Sequence, residues 1–324
     1  MNTYFIPQTD LQVSRIGFGC MNLGGLWNDA LVSSEIRERA FTAIHTAIEY
    51  GFNFFDHADI YTLGKSELVF GDFLQQHPGL RERIVLQSKC GIRFAGQPYA
   101  SDPQRYDFSY DHIIQSVEGS LNRLKTDYLD LLLLHRPDPL VEPEEVARAF
   151  EKLYTDGKVR HFGVSNHTSG QIALLKNHIT QPLVVNQVQL GLAHPHLIAE
   201  GVWFNRNDGV YSLTSNTLDY CRLHQLQVQA WAPLAGGRLL DTTGQADPAA
   251  KLTAALIWEM AEHHQTTPEA VALAWLLCHP AKILPIIGTL NPKRIRAVAA
   301  ADLVKLSREA WYRLFIVSQG MPLP

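Results

Sequence analysis

The stretch NFFDHADIY, residues 53–61, leaves an aromatic apolar run and at once places Asp56, His57, Asp59 and Tyr61. Two other apolar runs end abruptly on a group that can carry or move a proton: RIVLQSK ends on Lys89 and LDLLLLH on His135. A lysine is almost never fully buried unless paired, so Lys89 calls for an anion. Asp56, at the end of the preceding strand-like run, is the natural partner. Taken singly, each residue has a plainer reading. Asp56 could cap a turn, and His135 could be a satisfied core histidine. Together they describe a site in which a charged pair lies beside a histidine and a tyrosine. His57 and Asp59 are read as supports, His57 structural or capping and Asp59 fixing the short loop that carries Tyr61.

The elements that must bring these groups together recur regularly. Eight apolar, strand-like runs alternate with longer helical patterns: Ile16–Cys20, Asn53–His57, Ile84–Cys90, Leu129–His135, His161–Ser165, Val184–Gln189, Val228–Ala232 and Ile283–Gly288. They are apolar on both faces, as parallel strands covered by helices are. Gly51 and Gly157 follow helical runs, and Pro143 opens one. Eight such units predict an α/β fold, a (β/α)8 TIM barrel. Residues 3–13 predict an N-terminal β-hairpin, and 307–318 an extra C-terminal helix. No linker interrupts the 324 residues, so 1–324 is expected to be a single barrel domain. A dinucleotide-binding doubly wound sheet is the alternative suggested by GFGCMNLGG. It fails because Asn22 stands where the third glycine of G-x-G-x-x-G belongs.

Barrels of this kind collect functional groups at the C-terminal ends of their strands. That rule assembles Asp56, Lys89, His135, Ser165, Asn166, Gln187, Trp231 and Gly288 around one mouth, with Tyr61 one loop beyond Asp56. Asp56, Tyr61, Lys89 and His135 resemble the catalytic tetrad of the aldo-keto reductases. FDHADIY, LQSKCGI, DLLLLHRPDP, GKVRHFGVSNH, NQVQ, AWAPLAGG and LPIIGT resemble that family in the same order, and the likeness is to a bacterial branch with HADIY and LLLHRPDP.

The resemblance implies NAD(P)H-dependent reduction of an aldehyde or ketone to an alcohol, without metal. Tyr61 would be the general acid, Lys89 would favour its phenolate and lower its pKa, Asp56 would orient Lys89, and His135 would place the carbonyl. Ser165, Asn166 and Gln187 match positions that hold the nicotinamide amide, and Trp231 an aromatic position that stacks on its ring. Ala232, Pro233, Leu234, Gly236, Gly237 and Arg238 match the pyrophosphate loop, and Gly19, Cys20 and Met21 the turn on the ribose side. Gly288, Thr289 and Arg294 match the adenosine end, where Arg294 favours NADPH over NADH. Ala297 and Val298 stand where many relatives have Glu and Asn.

Composition narrows the other classes. Apolar residues make up 46%, charged residues 19%, and the net charge is −4, an ordinary globular balance. With no long basic tract, nucleic acid and anionic membranes are not expected partners; a small-molecule carbonyl substrate is. The N-terminus has no secretory pattern, and no apolar run has spanning length. Cys20, Cys90, Cys221 and Cys278 are scattered, which points to a reduced, cytoplasmic protein. A barrel metallohydrolase is a competing reading, drawing on His57, His135, His194 and His196. It fails on ligand count, because strands five and six end in Ser-Asn and Asn-Gln. A cofactor-binding regulatory subunit is the other. Loops 92–108 and 190–213, with Phe94, Tyr99, Tyr106, Phe108, Trp203 and Phe204, are expected to shape a partly apolar substrate pocket.

Overall fold

The structure is a computed structural model and describes residues 1–203 and 215–324. Phe204, expected in the substrate loop, lies outside the described residues.

A short antiparallel hairpin comes first, β1 (Thr3–Phe5) and β2 (Gln12–Ser14). Then β3 (Gly17–Gly19), α1 (Ser34–Glu49), β4 (Phe54–Asp56), α2 (Lys65–Gln76) and β5 (Val85–Cys90) follow. A second small hairpin, β6 (Ile92–Arg93) and β7 (Arg105–Tyr106), rises from the next loop. The series continues with α3 (Tyr110–Leu124), β8 (Leu129–Leu134), α4 (Pro143–Thr155), β9 (Val159–Ser165), α5 (Ser169–Lys176) and β10 (Leu183–Gln189). It then runs through α6 (His196–Ala199), α7 (Thr217–Leu223), β11 (Gln227–Trp231), α8 (Pro248–His263) and α9 (Pro268–Leu277). It closes with β12 (Leu284–Ile287), α10 (Pro292–Ala299) and α11 (Arg308–Gln319).

Strands β3, β4, β5, β8, β9, β10, β11 and β12 form a closed parallel barrel in chain order, with β12 pairing back onto β3. This is the predicted (β/α)8 barrel, with its N-terminal hairpin and C-terminal helix. The β6–β7 hairpin and the one-turn α6 were not expected. Both sit in loops whose apolar residues are too few to show a period.

Two apolar clusters account for the closure. The larger lies between the strands and the surrounding helices. The smaller fills the barrel: Phe54, Val85, Leu131, Leu133, Val185, Leu284 and Ile286 point inward and meet Ile6, Leu11 and Val13 of the N-terminal hairpin. The hairpin therefore stoppers the end of the barrel opposite the strand C-termini. Local signals set the helix ends as expected. Pro143 occupies the first turn of α4, and Gly51, at φ +84°, follows α1. At the chain's end Trp275 of α9 stacks on Trp311 of α11, ring centroids 5.0 Å apart, and fixes the last helix to the barrel.

Candidate active site

Alternation along each strand decides which side chains enter the barrel. Phe54 and Asp56 point inward from β4, and Val85, Gln87 and Lys89 from β5. The last inward residue of each strand stands at the mouth. The register pairs Asp56 with Gln87 and Lys89 with Leu133.

Lys89 is wholly buried, and its ammonium has three donors to place. One goes to the Asp56 carboxylate, with Oδ1 at 2.7 Å and Oδ2 at 2.9 Å. A second goes to the backbone carbonyl of His57 at 2.8 Å, and the third to the Tyr61 hydroxyl at 2.9 Å. Burial alone would push an ammonium toward neutrality. Asp56 and Tyr61 outweigh it, and the Lys89 pKa lies above its ordinary value. The lysine is therefore a fixed cation aimed at a phenol.

For Tyr61 the balance falls the other way. Burial raises its pKa, Lys89 pulls against that, and the net value stays raised. The sequence-based expectation of a lowered tyrosine pKa is thus corrected: taking the phenolate out of water costs more than one neighbouring cation returns. Tyr61 is a protonated phenol across the neutral range, poised to donate.

His135 is buried, its ring edge-on to that of Tyr61 with centroids 5.9 Å apart. Burial, then the charges of Lys89 and Arg136, hold its pKa well below the ordinary value, so the ring is neutral. Its Nδ1 has no hydrogen-bond partner among the described residues. A buried lone pair is easier to leave unmatched than a buried N–H, so the ring proton belongs on Nε2.

The neighbouring groups are bonded to one another. Ser165 Oγ donates to the Gln187 carbonyl at 2.9 Å and accepts from Asn166 Nδ2 at 2.8 Å. Asn166, held at φ +62°, also donates to the His135 carbonyl at 3.3 Å and accepts from Trp231 Nε1 at 3.0 Å. The Trp231 ring is thereby fixed at the mouth, half-buried. Gln187 Nε2 donates to Asp56 Oδ1 and to Gln229 Oε1, at 3.0 and 2.9 Å. What these side chains retain for a ligand is a second lone pair on each of Ser165 Oγ and Asn166 Oδ1, and the side-chain oxygen Oε1 of Gln187.

The loop after β11 has the shape expected of a phosphate cradle. Ala232, Ala235, Gly236 and Gly237 all have positive φ, and a Cβ on Gly236 or Gly237 would meet nothing within 4 Å. Two of the loop's N–H groups are used inside the turn, Ala235 on the Ala232 carbonyl at 3.0 Å and Gly237 on the Leu234 carbonyl at 2.8 Å, while the missing side chains of Gly236 and Gly237 leave the backbone open to close approach. Arg238 is exposed beside it, while Pro233 is buried and Leu234 half-buried. Across the mouth, Asn22 Nδ2 donates to the Gly288 carbonyl at 3.0 Å and ties the first loop to the eighth. Asn291 caps α10 on Lys293 and also donates its own N–H to Thr289 Oγ1. Lys293 and Arg294 stand exposed on the first turn of α10. Val298 is buried, the Ala297 backbone carbonyl accepts from Thr267 Oγ1, and the methyl and isopropyl side chains of the two carry no hydrogen-bonding group.

Cys20 is fully buried, with Sγ toward the Phe18 carbonyl, so only its backbone lines the mouth. Gly19 is packed against Ile286 and the Ile287 carbonyl, while Met21 is exposed. His57 is a core residue: its ring meets Phe70, neither ring nitrogen has a partner among the described residues, and burial with Lys89 pushes its pKa down to about 3. The Cys90 thiol is buried and its pKa raised well above the ordinary value, chiefly by burial, which keeps it an unreactive thiol. Among the described residues no three His, Cys, Asp or Glu side chains converge as metal ligands, and no helix is long and apolar enough to cross a membrane.

Asp59, half-buried, adjoins a second polar group built around the fully buried Glu67. Glu67 accepts from Ser88 Oγ at 2.6 Å and from Arg123 at 2.8 Å. Burial and then the Glu67 charge push the Asp59 pKa up to about 7. A carboxyl whose folded pKa exceeds its unfolded value favours folding most at low pH and loses that contribution as pH rises through 7. Asp59→Asn is therefore expected to unfold at higher temperature than wild type at pH 8, with the advantage shrinking toward pH 4. Melting curves across that range check it.

The sequence missed Gln87, Gln229 and Arg136. Gln87 and Gln229 each lie two residues before a mouth residue, Lys89 and Trp231, and so point into the barrel; that period of two was the available signal. Arg136, directly after His135, holds its guanidinium 5.5 Å from the Trp231 ring centroid. Trp27 and Phe94 meet edge to face at 6.3 Å between the first and third loops.

A model of the aldo/keto reductase family matches residues 15–317. The chain belongs to that family. The chain is 38% identical to the uncharacterized oxidoreductase YcsN of Bacillus subtilis, over 97% of both chains. It is 35% identical to a 6-dehydroglucose reductase of Agrobacterium fabrum, over 96% of both. Among solved structures, the glycerol dehydrogenase of Gluconobacter oxydans superposes with a TM-score of 0.82 at 24% identity, covering 99% of this chain and 97% of that one. An aldo/keto reductase of this kind is an NAD(P)H-dependent oxidoreductase that acts on carbonyl groups of small molecules.

Proposed function

We propose that the protein reduces an aldehyde or ketone to an alcohol, with Tyr61 as proton donor and NADPH as the preferred cofactor. The observation that carries this is the Lys89 ammonium, fully buried and divided among Asp56, the His57 carbonyl and the Tyr61 hydroxyl. Bound NADPH supplies the hydride. Negative charge then develops on the carbonyl oxygen, where the Tyr61 proton and a His135 Nε2–H can meet it. The neutral imidazole orients the oxygen, and the phenol delivers the proton. Lys89 stabilises the phenolate left behind, and Asp56 keeps Lys89 in line.

On the cofactor side, Trp231 offers a stacking face held by Asn166, and Gln187 and Asn166 keep acceptors for a carboxamide. The positive-φ turn from Ala232 to Gly237 suits a pyrophosphate. Arg294 and Lys293, exposed at the start of α10, suit a 2′-phosphate. The substrate is a carbonyl compound small enough for the mouth between Trp27, Phe94 and Trp231. One of the relatives is named for reducing 6-dehydroglucose, which makes sugar aldehydes a first class to assay beside hydrophobic and aromatic aldehydes. We also read residues 1–324 as one domain, since the two apolar clusters together draw on strands and helices from both ends of the chain.

The direct test is loss of NADPH absorbance with a panel of aldehydes, ketones and sugar aldehydes. No turnover of any, despite NADPH binding, would favour a regulatory role instead. For the cofactor, Arg294→Ala is expected to weaken NADPH binding about tenfold and leave NADH nearly unchanged, since a charge-assisted contact to phosphate is lost. Equal weakening of both would remove Arg294 from the phosphate site.

A further inference from the structure

Beneath the mouth lies a layer of three glutamines, one from each of β5, β10 and β11. Gln87, Gln187 and Gln229 are 2% exposed or less, yet each points into the barrel where the layer below is apolar. A buried primary amide carries two donors and an acceptor, and each one unmatched costs about 1–3 kcal/mol. Three apolar side chains would fill this space without that demand. The glutamines therefore need a reason, and their bonding pattern supplies one.

Gln87 Nε2 donates to Asp56 Oδ1 at 2.5 Å and to Gln229 Oε1 at 2.9 Å. Gln187 Nε2 does the same, at 3.0 and 2.9 Å. Gln229 Nε2 donates back to Gln87 Oε1 at 3.0 Å. Both amides thus place one N–H on the carboxylate and the other on the single Gln229 oxygen. Turning either amide over would set its carbonyl against the carboxylate and against the Gln229 carbonyl at once. Only one orientation is compatible with all the partners. Gln229 never touches Asp56, yet its oxygen fixes how both glutamines that do touch it are turned.

The result for Asp56 is an asymmetric carboxylate. Oδ1 accepts from Gln87 and Gln187 and lies 2.7 Å from the Lys89 ammonium, whereas Oδ2, among the described residues, accepts from Lys89 alone. The carboxylate is held from below, so its plane cannot rotate. Lys89, held from two directions by Asp56 and the His57 carbonyl, has a single direction left for its third N–H, and that direction is Tyr61.

We propose that Gln87, Gln187 and Gln229 are positioning residues for proton transfer: their amides lock Asp56, and through it Lys89, in the arrangement that keeps an ammonium N–H on the Tyr61 hydroxyl. Gln187 also joins this lock to the nicotinamide side of the mouth, because its carbonyl is not used within the layer. The inference rests on the reading of Tyr61 as the proton donor.

The test is Gln229→Met, which keeps side-chain length but removes the shared acceptor, away from every reacting atom. The expected result is a kcat lowered about tenfold, as for the loss of one good hydrogen bond to a charged group, with KM and the NADPH dissociation constant within about twofold of wild type. A structural effect alone could also lower kcat, so the same change is made in the Tyr61→Phe background. There it is expected to alter the residual rate by less than about twofold, because residues acting through one step are not additive. A wild-type kcat in Gln229→Met, or an undiminished tenfold loss in the Tyr61→Phe background, overturns the proposal. Should Gln229→Met fail to fold, Gln87→Asn withdraws one donor from Asp56 while keeping an amide, and the same two rates decide. A Tyr61→Phe variant that is itself fully active would instead overturn the reading of Tyr61, which keeps the two failures apart.

Discussion

Tyr61→Phe is expected to lower kcat by roughly 10²–10⁴-fold, the usual contribution of a positioned general acid, while NADPH affinity stays close to wild type. The substitution removes one oxygen and leaves the ring in place against His135. Lys89 loses one of its three partners but retains Asp56 and the His57 carbonyl. The fold should therefore lose only about 0.5–1.5 kcal/mol, the net worth of a typical hydrogen bond. Steady-state kinetics and a fluorescence titration with NADPH separate the two effects. Turnover within a few-fold of wild type would mean that the proton comes from elsewhere.

Lys89→Met should have a different signature, because it damages both the chemistry and the fold. Among the described residues the ammonium is the only donor to Asp56 Oδ2, and it also lies 2.7 Å from Oδ1, which accepts from Gln87 and Gln187. Removing it leaves a buried carboxylate with no countercharge, and breaking such a pair costs about 3–5 kcal/mol. Domains of ordinary stability hold only about 5–15 kcal/mol in total, so the denaturation midpoint should fall markedly. Turnover should fall at least as far as in Tyr61→Phe, since the phenol then keeps the burial that raises its pKa and loses the cation that opposes it. Urea melts and kcat measured on both variants tell the roles apart. Tyr61→Phe loses rate with its stability nearly intact, whereas Lys89→Met loses both. A Lys89→Met protein as stable as wild type would show that Asp56 does not depend on the lysine.

Much of this arrangement was legible in the chain before any coordinates. The eight strands were found because parallel strands covered by helices are apolar on both faces, and each was placed within two residues of its observed ends. The barrel rule then converted strand ends into a list of neighbours, and Asp56, Tyr61, Lys89 and His135 do meet. What could not be read was the sign of a competition. The tyrosine pKa depends on how deeply the phenol is buried relative to how near the ammonium lies, and neither quantity is written in residue spacing. The bonding of Asn166 and Gln187 escaped for a similar reason. An amide at a strand end can face a ligand or its neighbours, and only the register shows that Gln187 sits opposite Gln229 and Asn166 within reach of Trp231. Loops 92–108 and 190–213 yielded least, because a two-residue strand or a one-turn helix carries too few positions to establish a pattern.

The N-terminal hairpin gives the barrel a property that none of its eight strands supplies. Ile6, Leu11 and Val13 pack against Phe54, Val85, Leu131 and Leu284, so the lower end of the barrel is closed by apolar side chains. Solvent does not reach the ammonium from beneath. The charge of Lys89 is therefore shielded from below by apolar side chains, and Asp56 and Tyr61 feel it with little screening.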